Sequence, residues 1–229
     1  MENKTYAKEF TIGLCVLLFY FIANIFQLPI FALFGNDSMT FRVIFSLIFQ
    51  LLMILAIIYV YRIELKEQFL RFKQYMKFYM KNYIKYLGLS FILVLITNLI
   101  IMGIRGSGVA GNQEAIINMA EAVPIFTFIV VVFYAPILEE LVFRLSIKKI
   151  CGKHTFLFIF LSGLIFGLLH VIGQTDAWYD YLFIITYSIP GWIFAYTLYK
   201  SENIFVPITL HFINNVISIG AIMLLGFLQ

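Results

Sequence analysis

The chain has 229 residues, of which 62% are hydrophobic and only 12% charged, with a formal net charge of +4. A soluble globular domain carries about 25% charged residues, so this composition excludes one and marks an integral membrane protein. Little sequence is left between the apolar stretches, which predicts a single membrane domain over 1–229 and no separate soluble domain.

A spanning helix needs about 20 apolar residues. Seven stretches qualify, at roughly 10–34, 43–61, 86–104, 123–143, 155–171, 180–199 and 204–227. They predict an all-α, polytopic membrane helix bundle of about seven transmembrane helices. The first stretch is too long for a signal-peptide core and lacks a small-residue cleavage site, so it is expected to be retained. Between the second and third spans, residues 62–85 alternate cations with Phe69, Phe72, Tyr75, Met76, Phe78, Tyr79, Met80 and Tyr83. That pattern reads as a cytoplasmic amphipathic helix lying on the membrane, with a substrate-docking surface as the lesser alternative. The run Arg105-Gly-Ser-Gly-Val-Ala-Gly111 has no phosphate-loop lysine and reads as a flexible outer connection.

Charge placement orients the chain. With the N-terminus inside, fourteen of the sixteen Lys and Arg fall on cytoplasmic segments, and only Arg42 and Arg105 lie outside with Asp37, Glu114, Glu121, Asp176 and Asp180. This bias predicts a multi-pass protein of the cell membrane, N-terminus in and C-terminus out. The positive charge then faces anionic membrane lipid, and nucleic acid is not expected as a partner. Cys15 and Cys151 share no CxxC spacing and sit on different segments, so neither a disulfide nor a cysteine-ligated metal is expected.

The fourth span carries Glu139, Glu140 and Arg144. Ionisable groups at membrane depth cost several kcal/mol by most scales and are kept for a function or a pair. Two later spans each hold a histidine, His170 and His211, the second with Asn215. The fourth helix is expected to continue to Cys151 and stop at Gly152, with the turn near Lys153–Thr155. At ~1.5 Å per residue, Glu139 then lies about 20 Å above that turn, His170 about 24 Å and His211 about 16 Å above its own turn. Three helices can therefore present these groups at similar depth. His154 falls at the turn and reads as a helix-end residue.

Adjacent helical residues diverge by about 100°, so Glu139 and Glu140 are not expected to face one spot. Glu140 and Arg144 are i, i+4 neighbours in the favourable order and are expected to pair. Glu139 is left unpaired, and a carboxylate in a low-dielectric cavity suits a general base acting on water. Pro136 is expected to free the carbonyl of Val132. Asn215, one turn beyond His211, can donate to a developing oxyanion.

These residues form three motifs. Glu139-Glu140-Leu-Val-Phe-Arg144 resembles the EExxxR signature of the CPBP family, which includes the CAAX prenyl proteases and the bacterial Abi proteins. Phe166-Gly-Leu-Leu-His170 resembles its FxxxH motif, and His211-Phe-Ile-Asn-Asn215 its HxxxN motif. The resemblance covers about 120–220, the expected catalytic core, and implies an intramembrane endopeptidase acting on a peptide or membrane-protein substrate. By motif position it implies that Glu139 and His170 activate water, that His211 and Asn215 stabilise the oxyanion, and that Glu140 and Arg144 support them. The short Phe- and Ile-rich chain is similar to the Gram-positive branch, whose members are associated with bacteriocin self-immunity and peptide-pheromone processing.

Two points stay open in the sequence. His170, His211 and Glu139 are the ligand candidates if Zn²⁺ is used. There is no HExxH, however, and a metal-free activated water explains Glu139 as well; Asn214, Asn215, Ser162 and Tyr187 are the polar neighbours available to outer imidazole nitrogens. A non-catalytic immunity or membrane-binding protein is the alternative, though it has no need to bury this set. A proton-coupled transporter is weaker, since no internal repeat is evident.

Overall fold

The structure, a computed structural model, describes residues 2–33, 39–106, 109–175 and 177–227. Ser107 and Gly108 of the glycine-rich loop, and Asp37 and Asp176 of the outer acidic set, lie outside the described residues. Among the described residues the elements are α1 (Glu2–Leu33), α2 (Met39–Arg105), α3 (Gly111–Ala122), α4 (Pro124–Cys151), α5 (Thr155–Val171), α6 (Phe183–Ser201) and α7 (Phe205–Phe227). A 3₁₀ turn, Trp178–Leu182, leads into α6.

The expected second span, amphipathic segment and third span form one element, α2. From Arg42 to Leu87 the sequence contains neither Gly nor Pro, so nothing interrupts the helix. Its contacts nevertheless force a bend. Asn203 Nδ2 donates to the Gln68 carbonyl at 2.8 Å, and Thr186 Oγ1 donates to Thr97 Oγ1 at 3.2 Å. Gln68 and Thr97 are 29 residues apart, about 44 Å of straight helix, while their partners are separated by 17 residues, about 26 Å. Tyr75 is the one residue described as non-helical inside α2 (φ −114°, ψ 20°).

The first arm runs antiparallel to α1, with Gln27 Nε2 donating to Ser46 Oγ at 2.9 Å and Thr11 and Val60 lining one groove. The second arm runs antiparallel to α6, with the Tyr86 and Tyr196 rings 5.3 Å apart. The segment between the arms does not simply rest on a membrane surface. Leu65, Gln68, Phe72 and Tyr79 are buried against the bundle, while Lys66, Lys73, Lys77 and Lys81 are exposed. Gln68 Oε1 accepts from the Ile204 amide at 2.6 Å, and Asn203 Oδ1 accepts from the Phe205 amide at 3.1 Å, which satisfies the first turn of α7.

Among the described residues, five helical segments are long and apolar enough to cross a membrane, and Thr155–Val171 is apolar but shorter. Counting the two arms of α2 separately and including Thr155–Val171, the described residues hold seven apolar helical segments. Ile25, Leu52, Leu95, Ile125 and Leu224 are exposed, as expected for side chains facing lipid. Arg144 does not belong among the surface cations: it is fully buried, which reduces the fourteen assigned to one side to thirteen. We predict that cysteines introduced at Lys73 and Val109 will react with an impermeant maleimide from opposite sides of the membrane. Labelling of both from one side would refute the topology.

Two local features position the site. The helix α4 ends where expected, at Gly152, whose φ of +55° suits glycine. The α5–α6 contact is lined by Gly163, Gly167, Ser188 and Gly191, and a Cβ on Gly163 would strike Trp192. Small residues let these helices approach closely, which brings the end of α5 against Tyr187 of α6. The helix α3 was not foreseen in the sequence; its Ala120 packs with Val132 and Ile219 over one end of α4 and α7.

Candidate active site

The helix α4 is not uniformly α-helical. It contains two π turns, Val130–Tyr134 and Glu140–Ser146, separated by the α turn Ala135–Glu139. Such wide turns expose carbonyls and are frequent at functional sites. Here side chains take up several of them. Ser146 Oγ donates to the Leu141 carbonyl at 2.9 Å, and Ser162 Oγ of α5 donates to the Phe143 carbonyl at 2.6 Å. Ser162 is thus committed to α4 rather than to a histidine. Tyr61 of α2 shares a 2.8 Å hydrogen bond with the Ser146 hydroxyl.

Glu140 and Arg144 pair as expected, with Arg144 Nε 3.2 Å from Glu140 Oε2 and neither side chain exposed. The guanidinium carbon lies 4.4 Å from the Phe166 ring centroid and 5.7 Å from that of Phe194. Two aromatic faces therefore enclose a desolvated cation. The other oxygen of Glu140 meets His211 Nδ1 at 2.9 Å. A carboxylate accepts, so Nδ1 carries the proton and Nε2 points away from Glu140.

His211 Nε2 lies 3.7 Å from Glu139 Oε2. This overturns the expectation that the adjacent glutamates serve separate places, while at 3.7 Å from a bare Nε2 Glu139 makes a contact rather than a hydrogen bond. Both reach one imidazole, each at a different ring nitrogen. The ring presents its nitrogens in two directions, and Glu140 opens a π turn, which rotates less per residue than an α turn. Glu139 is the more accessible of the two, with its side chain 17% exposed against 0% for Glu140.

His170 sits at the end of α5. Its Nδ1 is 2.8 Å from the Phe166 carbonyl, which can only accept, so neutral His170 also leaves Nε2 bare. The Phe166 ring lies 4.3 Å from the His170 ring and 6.0 Å from that of His211, placing one aromatic between the two imidazoles and Arg144. Tyr187 stacks on His170 at 5.0 Å, and Phe194 stacks on His211 at 5.0 Å. Sequence reading had Tyr187 only as a polar neighbour and missed Phe194 altogether. In a chain 18% aromatic, one phenylalanine carries no distinguishing signal.

Asn215 is turned to the backbone of α4. Its Nδ2 donates to the Val131 carbonyl at 2.7 Å, and its Oδ1 accepts from Asn214 Nδ2 at 3.0 Å. The expected carbonyl was Val132, and the difference follows from register. In the π turn Ala135 N–H bonds to the Val130 carbonyl, so Pro136 withholds its missing N–H from Val131, five residues back. His154 lies at the α4–α5 turn, away from the site.

The donor chemistry of zinc is partly present, since each imidazole has an acceptor on Nδ1 and a bare Nε2. The arrangement does not fit the ion, because no three His, Cys, Asp or Glu among the described residues are grouped to hold one. The arrangement can accept and pass protons. The Phe166 ring lies beside both imidazoles, Glu139 Oε2 lies near His211 Nε2, and Arg144–Glu140 fixes the His211 imidazole from behind.

Fold and site together define a multi-pass membrane protein with buried acid, base and histidine groups. Residues 121–217 match the family described as Rce1-like, type II CAAX prenyl endopeptidase. Over that region the chain resembles this CPBP-type family. It is 33% identical over 140 residues to the membrane-embedded CAAX protease MroQ of Staphylococcus aureus, covering 56% of this chain and 53% of that one. It is 27% identical over 176 residues to the UPF0177 protein YvdC of Lactococcus lactis, covering 76% and 65%. With YdiL of Bacillus subtilis it shares 33% identity over 106 residues, covering 45% and 40%. The matched stretches thus span from two fifths to two thirds of these relatives' lengths. No solved structure matches the chain.

Proposed function

We propose that the protein is an intramembrane endopeptidase that hydrolyses a peptide bond in a peptide or membrane-protein substrate. The observation that carries this reading is the chain Arg144–Glu140–His211–Glu139, in which a buried ion pair holds one imidazole against the more accessible carboxylate. Glu139 takes a proton from water as its oxygen attacks the scissile carbonyl carbon. His170, fixed through Nδ1, orients that water through Nε2. That proton passes from Glu139 to His211 Nε2, which hydrogen-bonds the developing oxyanion and then gives the proton to the leaving amine as the C–N bond breaks, returning both groups to their starting state. No step needs a group that the chain does not supply.

The similarity to a protein named as a CAAX protease supports peptidase activity without naming the substrate. Bacteriocin self-immunity and peptide-pheromone processing are the two roles proposed for that activity. The test compares new N-termini in membranes of cells carrying the wild-type protein or His170→Ala at equal abundance. Termini that depend on His170 are expected. An identical set of termini, with an unchanged cellular phenotype, would replace the enzyme by a non-catalytic membrane binder.

A further inference from the structure

We infer that Asn215 is a positioning residue: its amide locks the π turn of α4 before Pro136 and so sets the direction in which Glu139 points. The inference deepens the proposed catalytic role of Glu139 and rests on that reading only for its importance, not for its test. The turn Val130–Tyr134 is a π turn, and Pro136 removes the N–H that would close the next i→i−5 bond onto Val131. A backbone carbonyl left without a donor in a bundle inside a membrane is costly. Asn215 Nδ2 fills that vacancy at 2.7 Å from a different helix.

The alternative register explains why this matters for Glu139. If the turn closed as an ordinary α-helix, the carbonyl deprived by Pro136 would be Val132 instead, four residues back. Val132 is fully buried, in a cluster with Ala120 and Ile219. Changing the register also changes the rotation of everything that follows. Glu139 comes three residues after Pro136, and a shift of one residue in the ladder would swing its side chain by about 100°. It would then leave His211 Nε2, now 3.7 Å away. Asn214, which donates to Asn215 Oδ1, keeps the amide turned with its nitrogen toward Val131. A bond from α7 thus selects the backbone register of α4, and the two glutamates reach one imidazole as a result.

The test reads Glu139 directly and needs no substrate. The full-length protein in detergent is treated with dicyclohexylcarbodiimide, which modifies carboxyl groups in apolar surroundings, and modification of Glu139 is followed by mass spectrometry. Asn215→Leu is expected to raise the Glu139 modification rate about tenfold, the factor associated with losing one buried hydrogen bond. Asn215→Gln, which retains a donor, is expected to fall between the two. A second arm compares the fall in thermal midpoint caused by Asn215→Leu in the wild-type and Pro136→Ala backgrounds. Alanine restores an N–H at position 136, so the fall is expected to shrink by at least about half. This arm also covers the case in which Asn215→Leu alone does not fold, because the double variant has its missing donor back. An unchanged Glu139 rate in Asn215→Leu, or an equal thermal loss in both backgrounds, would overturn the inference. Absence of peptidase activity from the wild-type protein would instead count against the proposed function and leave these readouts intact.

Discussion

Glu139→Gln is expected to lower the rate of peptide-bond cleavage by about 10²–10⁴-fold, the range that a positioned general base contributes. Glutamine keeps the size of the side chain, but it cannot take a proton from water. Abundance should be nearly unaffected. Glu139 is partly exposed, its described partner is His211 Nε2 at 3.7 Å, and the direct ion-pair partner of buried Arg144 is Glu140 rather than Glu139. A stability change within ~1 kcal/mol is therefore expected, as for substitutions outside a buried network. The measurements are steady-state cleavage of a substrate found by the N-terminus comparison, and melting of the purified variant in the same detergent. The loss should appear in kcat with KM little changed, since binding of the peptide does not use the proton-accepting oxygen. Full activity in Glu139→Gln would end the general-base assignment.

Much of this arrangement was legible in the sequence because membrane burial is selective about charge. Glu139, Glu140, Arg144, His170 and His211 stand out in apolar helices, and their depths follow from a fixed rise per residue. The Glu140–Arg144 pair follows from i, i+4 spacing alone. What the sequence hid was geometry that departs from the ideal helix. Assuming 100° per residue sent Glu139 and Glu140 in different directions, and assuming an α register named Val132 where the π turn deprives Val131. Neither departure has a local sequence signal, because a π turn depends on partners such as Ser146, Ser162 and Asn215 elsewhere in the bundle. The continuity of α2 was readable in principle from the absence of Gly and Pro between Arg42 and Leu87. Its bend was not, since the bend is imposed by contacts with α6 and α7.

Removing one member of the buried ion pair should be far more damaging to the fold than any change at Glu139. In Glu140→Ala the guanidinium of Arg144 keeps its place between Phe166 and Phe194 but loses the carboxylate 3.2 Å from Nε. Breaking a buried pair on one side costs roughly 3–5 kcal/mol, because the remaining charge stays desolvated. That is a large part of the 5–15 kcal/mol that stabilises a typical domain, so steep loss of membrane abundance is expected. The double variant Glu140→Leu/Arg144→Met removes both charges and fills similar volume with apolar groups, a replacement that is often neutral or better for stability. It should therefore recover most of the lost abundance. Activity should not return with it, because His211 Nδ1 no longer has the acceptor at 2.9 Å that fixes its tautomer and its ring. Folding and catalysis thereby separate at one residue. In the proposed mechanism Glu140 stabilises the bundle through Arg144 and prepares the chemistry through His211, and only the first of these roles is expected to be replaceable by hydrocarbon. Recovery of cleavage in the double variant would show that His211 needs no carboxylate behind it.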